Sequence, residues 1–131
     1  MLRFILLIVW TTGILVPLFH VKRGGYLTSL LGMDFLKSNW THILAHFFLF
    51  AVFAFLLAHV LARAGVEHKK LGNLVPVCVL ALGVLQEILQ SFAVGGFMGS
   101  NQYFDILVDV IGGLTGLVLY RCPASATMRR L

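Results

Sequence analysis

Charged residues are scarce in this chain. Only 11% of its 131 residues are Asp, Glu, Lys or Arg, against about 25% in a typical soluble domain. Only five of them are acidic, whereas hydrophobic residues make up 60% of the chain and the mean hydropathy is +0.96. This composition excludes an ordinary soluble domain and predicts a single membrane domain over residues 1–131.

Cysteine is also rare. The two cysteines, Cys78 and Cys122, are 44 positions apart and match no spacing that is typical of a metal site. A structural disulfide and a cysteine-based metal centre are therefore not expected.

Long apolar runs are what the sequence does contain. A helix needs about 20 apolar residues to cross a hydrocarbon core of about 30 Å, because each residue adds about 1.5 Å. Four runs meet or approach this length, at residues 2–19, 41–62, 71–94 and 104–120. They predict an all-α polytopic membrane protein, a bundle of four transmembrane helices.

The basic residues predict the orientation of this bundle. With four crossings, seven Lys and Arg residues fall on the side that holds both termini, and three fall on the other side. Because cytoplasmic loops carry the excess of basic residues, we expect the N-terminus and C-terminus in the cytoplasm. This bias accounts for the net charge of +5, so no nucleic-acid partner is expected.

Ionisable residues inside the predicted spans form the candidate site. A charge at the bilayer centre costs about 2.5 to 3.5 kcal/mol on insertion scales, so such residues are usually functional. By helical rise, His46, Glu87 and Asp109 all lie about 8 to 10 Å below the outer boundary, with Asp105 one turn nearer the surface. If Glu87 and Asp109 are close, they are expected to share a proton or a cation.

Three further polar residues accompany them. Gln86 and Gln90 flank Glu87 on the third span, and His42 lies one turn before His46 on the second. For these three, ligand contact and simple hydrogen bonding between helices are equally compatible with the sequence. Gly112 and Gly116, with Gly113 between them, predict a close helix-packing stripe on the fourth span.

The order of these motifs resembles the VanZ-like family, small bacterial membrane proteins named for a teicoplanin-resistance protein. The resemblance covers about residues 39–120 and is carried by His46-Phe47 with Phe50, by Glu87-Ile-Leu-Gln90, and by Asp105 with Gly112 and Gly116. It implies a cell-envelope role in the bacterial cytoplasmic (inner) membrane, and it places the family's histidine, glutamate, glutamine and aspartate at His46, Glu87, Gln90 and Asp105. His42-Ile43 replaces the family's Asp-Lys, Asp109 replaces an Asn, and the Arg that precedes the family's last helix has no counterpart here.

Three functions follow as hypotheses. The first is a polar pocket in the outer leaflet that binds a lipid-linked or glycopeptide-like ligand through His46, Glu87, Gln90, Asp105 and Asp109, with its biochemical activity left undefined. The second is an intramembrane enzyme that acts on a lipid headgroup, with His46 and Glu87 as acid and base. The third is a small accessory subunit that docks on itself or on a membrane partner through the stripe of Gly112, Gly113 and Gly116.

The sequence identifies no cofactor. If the enzyme hypothesis holds, a divalent metal ion is expected on His46, Asp105 and Asp109, since imidazole and carboxylate groups are suitable ligands. Membrane lipid is the expected partner in all three cases. A binding protein is favoured over an enzyme because no serine or cysteine with a recognisable nucleophile setting accompanies the histidine.

Overall fold

A computed structural model describes residues 2–15, 39–94 and 100–122 of the chain. Its regular secondary structure in these ranges is helical throughout: α1 is Leu2–Leu15, α2 is Asn39–Arg63, α3 is His68–Val94 and α4 is Ser100–Arg121. The stretches Trp40–Arg63, His68–Phe92 and Gln102–Arg121 are each long and apolar enough to cross a membrane. The predicted all-α class is thereby confirmed, and these three helices coincide within a few residues with the predicted spans 41–62, 71–94 and 104–120.

The first predicted span is only partly described. Helix α1 has 14 residues and a length of about 21 Å, which is short of a full crossing. Its predicted continuation to residue 19 lies outside the described residues. The first crossing and the orientation of the termini therefore stay predictions.

A four-residue turn reverses the chain between α2 and α3. Gly65 has a φ of 87°, and the amides of Gly65 and Val66 donate to the carbonyls of Ala62 and Leu61. This is the Schellman arrangement, in which a residue in the left-handed region ends a helix and satisfies its last carbonyls. Glycine suits that position because it has no Cβ to clash.

Because α3 returns across the bundle, α2 and α4 run in the same direction. Their contacts keep one register: His42 faces Asp105 and His46 faces Asp109, each pair 63 positions apart. Further along the same interface, Gly112 packs on Phe47, and one turn later Gly116 packs on Ala51. The α2–α4 interface is the most extensive in the described bundle.

Each of these three helices presents one inward row of residues spaced by four. Each row has an apolar half, which contributes to the core, and a polar half. The rows consist of His42, His46, Phe50, Ala54 and Ala58 on α2; Leu71, Val75, Val79, Gly83 and Glu87 on α3; and Asp105, Asp109, Gly113 and Leu117 on α4. Since α3 runs opposite to α2 and α4, its polar half comes last, and all three polar halves meet at the same end.

The opposite faces of the helices are apolar and exposed. Phe48, Val77, Phe92 and Val118 are examples, one or two from each of the three long helices. An apolar surface around a partly polar interior is expected of a helix bundle whose solvent is lipid. Helix α1 packs against α2, where Trp10 Nε1 donates to the Leu49 carbonyl at 2.9 Å and Ile14 enters the core.

Candidate functional site

The polar halves of α2, α3 and α4 converge on five ionisable side chains, which we call the polar cluster: His42, His46, Glu87, Asp105 and Asp109. Two come from α2, one from α3 and two from α4. The segments that carry them, residues 42–46, 83–91 and 105–109, contain no Lys or Arg. Three carboxyl groups thus lie near two imidazoles without a permanent positive charge on these segments.

His46 and Asp109 form the centre of the polar cluster. His46 Nδ1 donates to Asp109 Oδ1 at 2.8 Å, and the two side chains are 2% and 0% exposed. A carboxylate on one ring nitrogen holds the imidazole in a single orientation and sets which nitrogen carries the proton. Each group also provides the other with the partner that a buried polar side chain requires.

His42 and Asp105 repeat this pairing one turn nearer the helix starts. His42 Nδ1 lies 3.6 Å from Asp105 Oδ1, with 43% of the His42 side chain and 14% of the Asp105 side chain exposed. The His42 and His46 rings lie 4.5 Å apart between centroids. The two imidazoles and the Asp105 carboxylate therefore form one group that is open to the surroundings on the His42 side.

Glu87 is the third-helix member of the polar cluster and the least satisfied. Its side chain is 1% exposed, yet neither carboxylate oxygen has a hydrogen-bond partner among the described residues. It lies close enough to His42, His46, Asp105 and Asp109 to interact electrostatically with each of them. Asp109 Oδ2 is similarly without a partner in this part of the chain.

Gly83 makes room for this arrangement one turn from Glu87. A Cβ at position 83 would lie 3.0 Å from Asp109 Oδ2, closer than side chains normally approach. The missing side chain lets the Asp109 carboxylate reach the α3 surface beside Glu87.

The two glutamines of α3 take different positions. Gln86 is buried, and its Oε1 has no partner within the described ranges, whereas Gln90 is half-buried. Ser91, one turn after Glu87, also holds a buried hydroxyl oxygen that no described residue contacts by a hydrogen bond. The α3 side of the site is thus rich in polar atoms that the described chain leaves unused.

The three glycines of α4 lie directly below the polar cluster and pack against the chain's own helices. A Cβ at Gly112 or Gly116 would overlap the carbonyl oxygen of Phe47 or Ala51 on α2, and one at Gly113 would lie 2.7 Å from both methyl groups of Val79 on α3. Close backbone approach of this kind is the usual role of small residues between membrane helices. This stripe therefore faces the interior of the bundle.

The polar cluster contains a set of donors suited to a metal ion. One ligand atom from each of His42, His46 and Asp105 lies within 4.8 Å of the others. The sequence pointed instead to His46, Asp105 and Asp109. In the structure, Asp109 instead pairs with His46 Nδ1, and His42 Nδ1 lies 3.6 Å from Asp105 Oδ1.

The histidines at the other end of the bundle belong to an aromatic cluster. The rings of His59 and Tyr120 lie 4.7 Å apart, and Tyr120 Oη lies 3.5 Å from Nδ1 of His68. His59 Nδ1 donates to the Phe55 carbonyl in its own helix. These contacts close the core at the end where α2 turns into α3, far along the helices from the polar cluster.

The site uses two residues whose roles the sequence did not predict. The role of His42 was open between ligand contact and simple hydrogen bonding, and Gly83 was not a candidate residue, although its four-residue spacing from Glu87 was visible. Spacing along one helix indicates a shared face. It does not show which neighbouring helix that face meets.

No family model, curated protein or solved structure matched the chain.

Proposed function

We propose that the polar cluster binds the polar part of a membrane-borne ligand, lipid-linked or glycopeptide-like, in the outer leaflet of the bacterial cytoplasmic membrane. The observation that carries this proposal is Glu87, a fully buried carboxylate with two unpartnered oxygens in the described chain. Buried polar atoms in native structures normally have partners, so a group from outside these helices is needed to supply them.

The chemistry of the unused atoms indicates what kind of ligand fits. Glu87, Asp109 Oδ2 and Gln86 Oε1 are all acceptors. They suit a group that donates hydrogen bonds, such as an ammonium or a set of sugar hydroxyls, which lipid headgroups, lipid-linked saccharides and glycopeptides carry. Such a ligand also reaches the site along the membrane, since the bundle surface around it is apolar.

The resemblance to the VanZ-like family supports a cell-envelope role for this binding. His46, Glu87 and Asp105, three of the positions that carry the resemblance, are in the polar cluster. The fourth, Gln90, lies three residues after Glu87 on α3 and is only half-buried. We therefore include Gln90 as a rim contact of the ligand rather than as part of its central binding group.

Lipid retained by the purified protein tests the proposal. We expect a specific lipid or lipid-linked molecule to co-purify in mild detergent and to be detected by native mass spectrometry. Glu87→Gln should reduce its occupancy at least about tenfold, because hydrogen bonds to a charged group contribute about 1.5 to 3 kcal/mol. The matched control is Glu67→Gln, at an exposed position in the α2–α3 turn whose side chain pairs with nearby Lys70; it should retain the lipid.

Folding stability separates this role from a structural one. An unpartnered buried carboxylate destabilises the fold, so Glu87→Gln should leave the thermal midpoint unchanged or raise it. A loss of stability together with unchanged lipid occupancy would contradict the proposal, as would the absence of any specific lipid from the wild-type protein.

A metal-dependent reaction on a lipid headgroup is the second candidate function. It is favoured by one observation, the grouping of donor atoms from His42, His46 and Asp105. Docking of a partner through Gly112, Gly113 and Gly116 has no comparable support, since that stripe is covered by α2 and α3.

A further inference from the structure

His42, His46 and Asp105 have the composition of a metal-binding set. Two histidines and one carboxylate bind zinc in many catalytic sites and iron in many oxygenases, with the remaining positions left to water or substrate. Here the histidines are one helical turn apart, the spacing at which two imidazoles on one helix face converge on an ion. The carboxylate comes from α4, so an ion would also join α2 to α4.

Asp109 has the position expected of a residue that orients a metal ligand. Metal-bound histidines almost always donate their other ring N–H to a carboxylate or carbonyl, which fixes the ring and strengthens it as a ligand. The 2.8 Å bond from His46 Nδ1 to Asp109 Oδ1 is such a contact, and it is fully buried. With Nδ1 engaged, Nε2 is the nitrogen whose lone pair remains for an ion.

The charge distribution supports the same conclusion independently. Glu87, Asp105 and Asp109 bring three carboxyl groups together at a depth where charge is costly, and the helix segments that carry the polar cluster provide no Lys or Arg. Glu87 and Asp109 Oδ2 are buried and unpartnered in the described chain. A divalent cation supplies positive charge that these described helix segments do not, and it is often the dominant charge of such a site.

We propose that His42, His46 and Asp105 bind a divalent transition-metal ion, with Asp109 positioning His46 and Glu87 beside the ion. Three protein ligands leave at least one coordination position open on the exposed side of His42. An oxygen atom of water or of the membrane-borne ligand occupies that position. The inference rests on the proposed function, because both use the same polar cluster. It extends that function by naming the metal ion as the group that the ligand contacts.

Zinc titration of the purified protein tests the metal site. The whole chain is purified in detergent through a tag without histidine, stripped with a chelator and titrated with Zn²⁺ by calorimetry. Co²⁺ absorption reports the coordination geometry. We expect one ion per chain, and we expect His42→Gln and His46→Gln each to weaken binding at least about 100-fold.

Two further variants make the test specific. Asp109→Asn should keep one site per chain but weaken it about 10- to 100-fold, as expected for a positioning residue rather than a ligand. His59→Gln, on the same helix but with its Nδ1 bonded to the Phe55 carbonyl, should bind Zn²⁺ like the wild type. His42 is partly exposed, so His42→Gln is expected to fold even where His46→Gln does not.

Some results would overturn the metal site without affecting the lipid proposal. No stoichiometric Zn²⁺ binding, or equal binding by His42→Gln and His59→Gln, would exclude the site. Glu87→Gln should lose lipid but keep Zn²⁺, and His42→Gln should lose Zn²⁺. If the protein binds zinc but no specific lipid, the metal site is supported and the proposed ligand is contradicted. If it binds a specific lipid but no zinc, the proposed ligand is supported and the metal site is contradicted.

Discussion

At the residue scale, His46 and Asp109 are two buried polar side chains that serve as partners for one another. Each group alone would be a polar side chain without a partner in a medium that offers no water. The 2.8 Å hydrogen bond between them gives His46 Nδ1 and Asp109 Oδ1 a partner each. The stability of either residue in the core therefore depends on the presence of the other.

Removing one partner should destabilise the fold more than removing both. We expect His46→Leu to lower the free energy of unfolding by about 3 kcal/mol, because it leaves the Asp109 carboxylate buried and unpaired. The double variant His46→Leu, Asp109→Leu should recover most of this loss, since an apolar pair replaces the polar one. Denaturation in detergent with a chelator present measures this effect without any contribution from metal.

His59→Leu provides the comparison for that cycle. His59 donates to a carbonyl of its own helix, so its removal leaves no buried charge and should cost less than His46→Leu. Strictly additive single effects at His46 and Asp109 would show that the pair is not coupled, contrary to the 2.8 Å contact.

At the element scale, the contact between α2 and α4 depends on the absence of side chains. Gly112 and Gly116 let the α4 backbone lie against the carbonyls of Phe47 and Ala51, and the pairs His42–Asp105 and His46–Asp109 continue the same register. Without the close approach of the two backbones at these glycines, the polar side chains of α2 and α4 would not reach one another. The glycine contacts and the polar cluster therefore belong to one α2–α4 interface.

Gly116→Ala should therefore reduce stability and also disturb the polar cluster. The added methyl group overlaps the Ala51 carbonyl oxygen, which belongs to backbone that cannot move aside cheaply. We expect a loss of about 1 to 3 kcal/mol, the usual range for overpacking, measured by thermal or chemical denaturation.

Two other glycines serve as controls for that substitution. Gly13→Ala on α1 meets no described residue within 4 Å and should be neutral or stabilise by up to about 1 kcal/mol. Among the described residues, Gly72→Ala meets the guanidinium end of Arg121, which is flexible and can shift, so its effect should be small. If all three variants lose equal stability, close packing is not what Gly116 provides.

At the scale of the whole molecule, the polar cluster lies where α2 and α4 begin and α3 approaches its end. The opposite end holds the α2–α3 turn, the aromatic cluster of His59, His68 and Tyr120, and Cys122 after α4. Which end faces the cytoplasm decides whether the site meets outer-leaflet or inner-leaflet molecules. The distribution of basic residues predicts that the polar cluster faces outward.

Thiol labelling in intact bacterial cells tests this orientation. With Cys78→Ala as the background, the exposed Cys122 should react with a membrane-impermeant maleimide only after the cells are permeabilised. With Cys122→Ser added, Trp40→Cys at the exposed start of α2 should react in intact cells. The reverse pattern would place the polar cluster on the cytoplasmic side and exclude an outer-leaflet ligand.

Much of this architecture was predictable from the sequence. Helices α2, α3 and α4 match the predicted spans within a few residues, because a run of apolar residues must be helical to satisfy its backbone in lipid. The common depth of His46, Glu87 and Asp109 followed from helical rise alone. The ends differ most where polar residues extend a helix beyond its apolar run, as in α4, which begins at Ser100 rather than at residue 104.

Amino-acid order along the chain thus determined the membrane class, the three spans and the level of the polar side chains, because hydropathy and helical rise act along one helix at a time. Only the tertiary structure decided that His42 faces Asp105, that His46 faces Asp109, and that the described residues leave the Glu87 acceptors unused. Those outcomes depend on the rotation of each helix about its axis. That rotation is set by packing between residues on different helices, such as Gly116 against Ala51 and Gly113 against Val79, which no local pattern records.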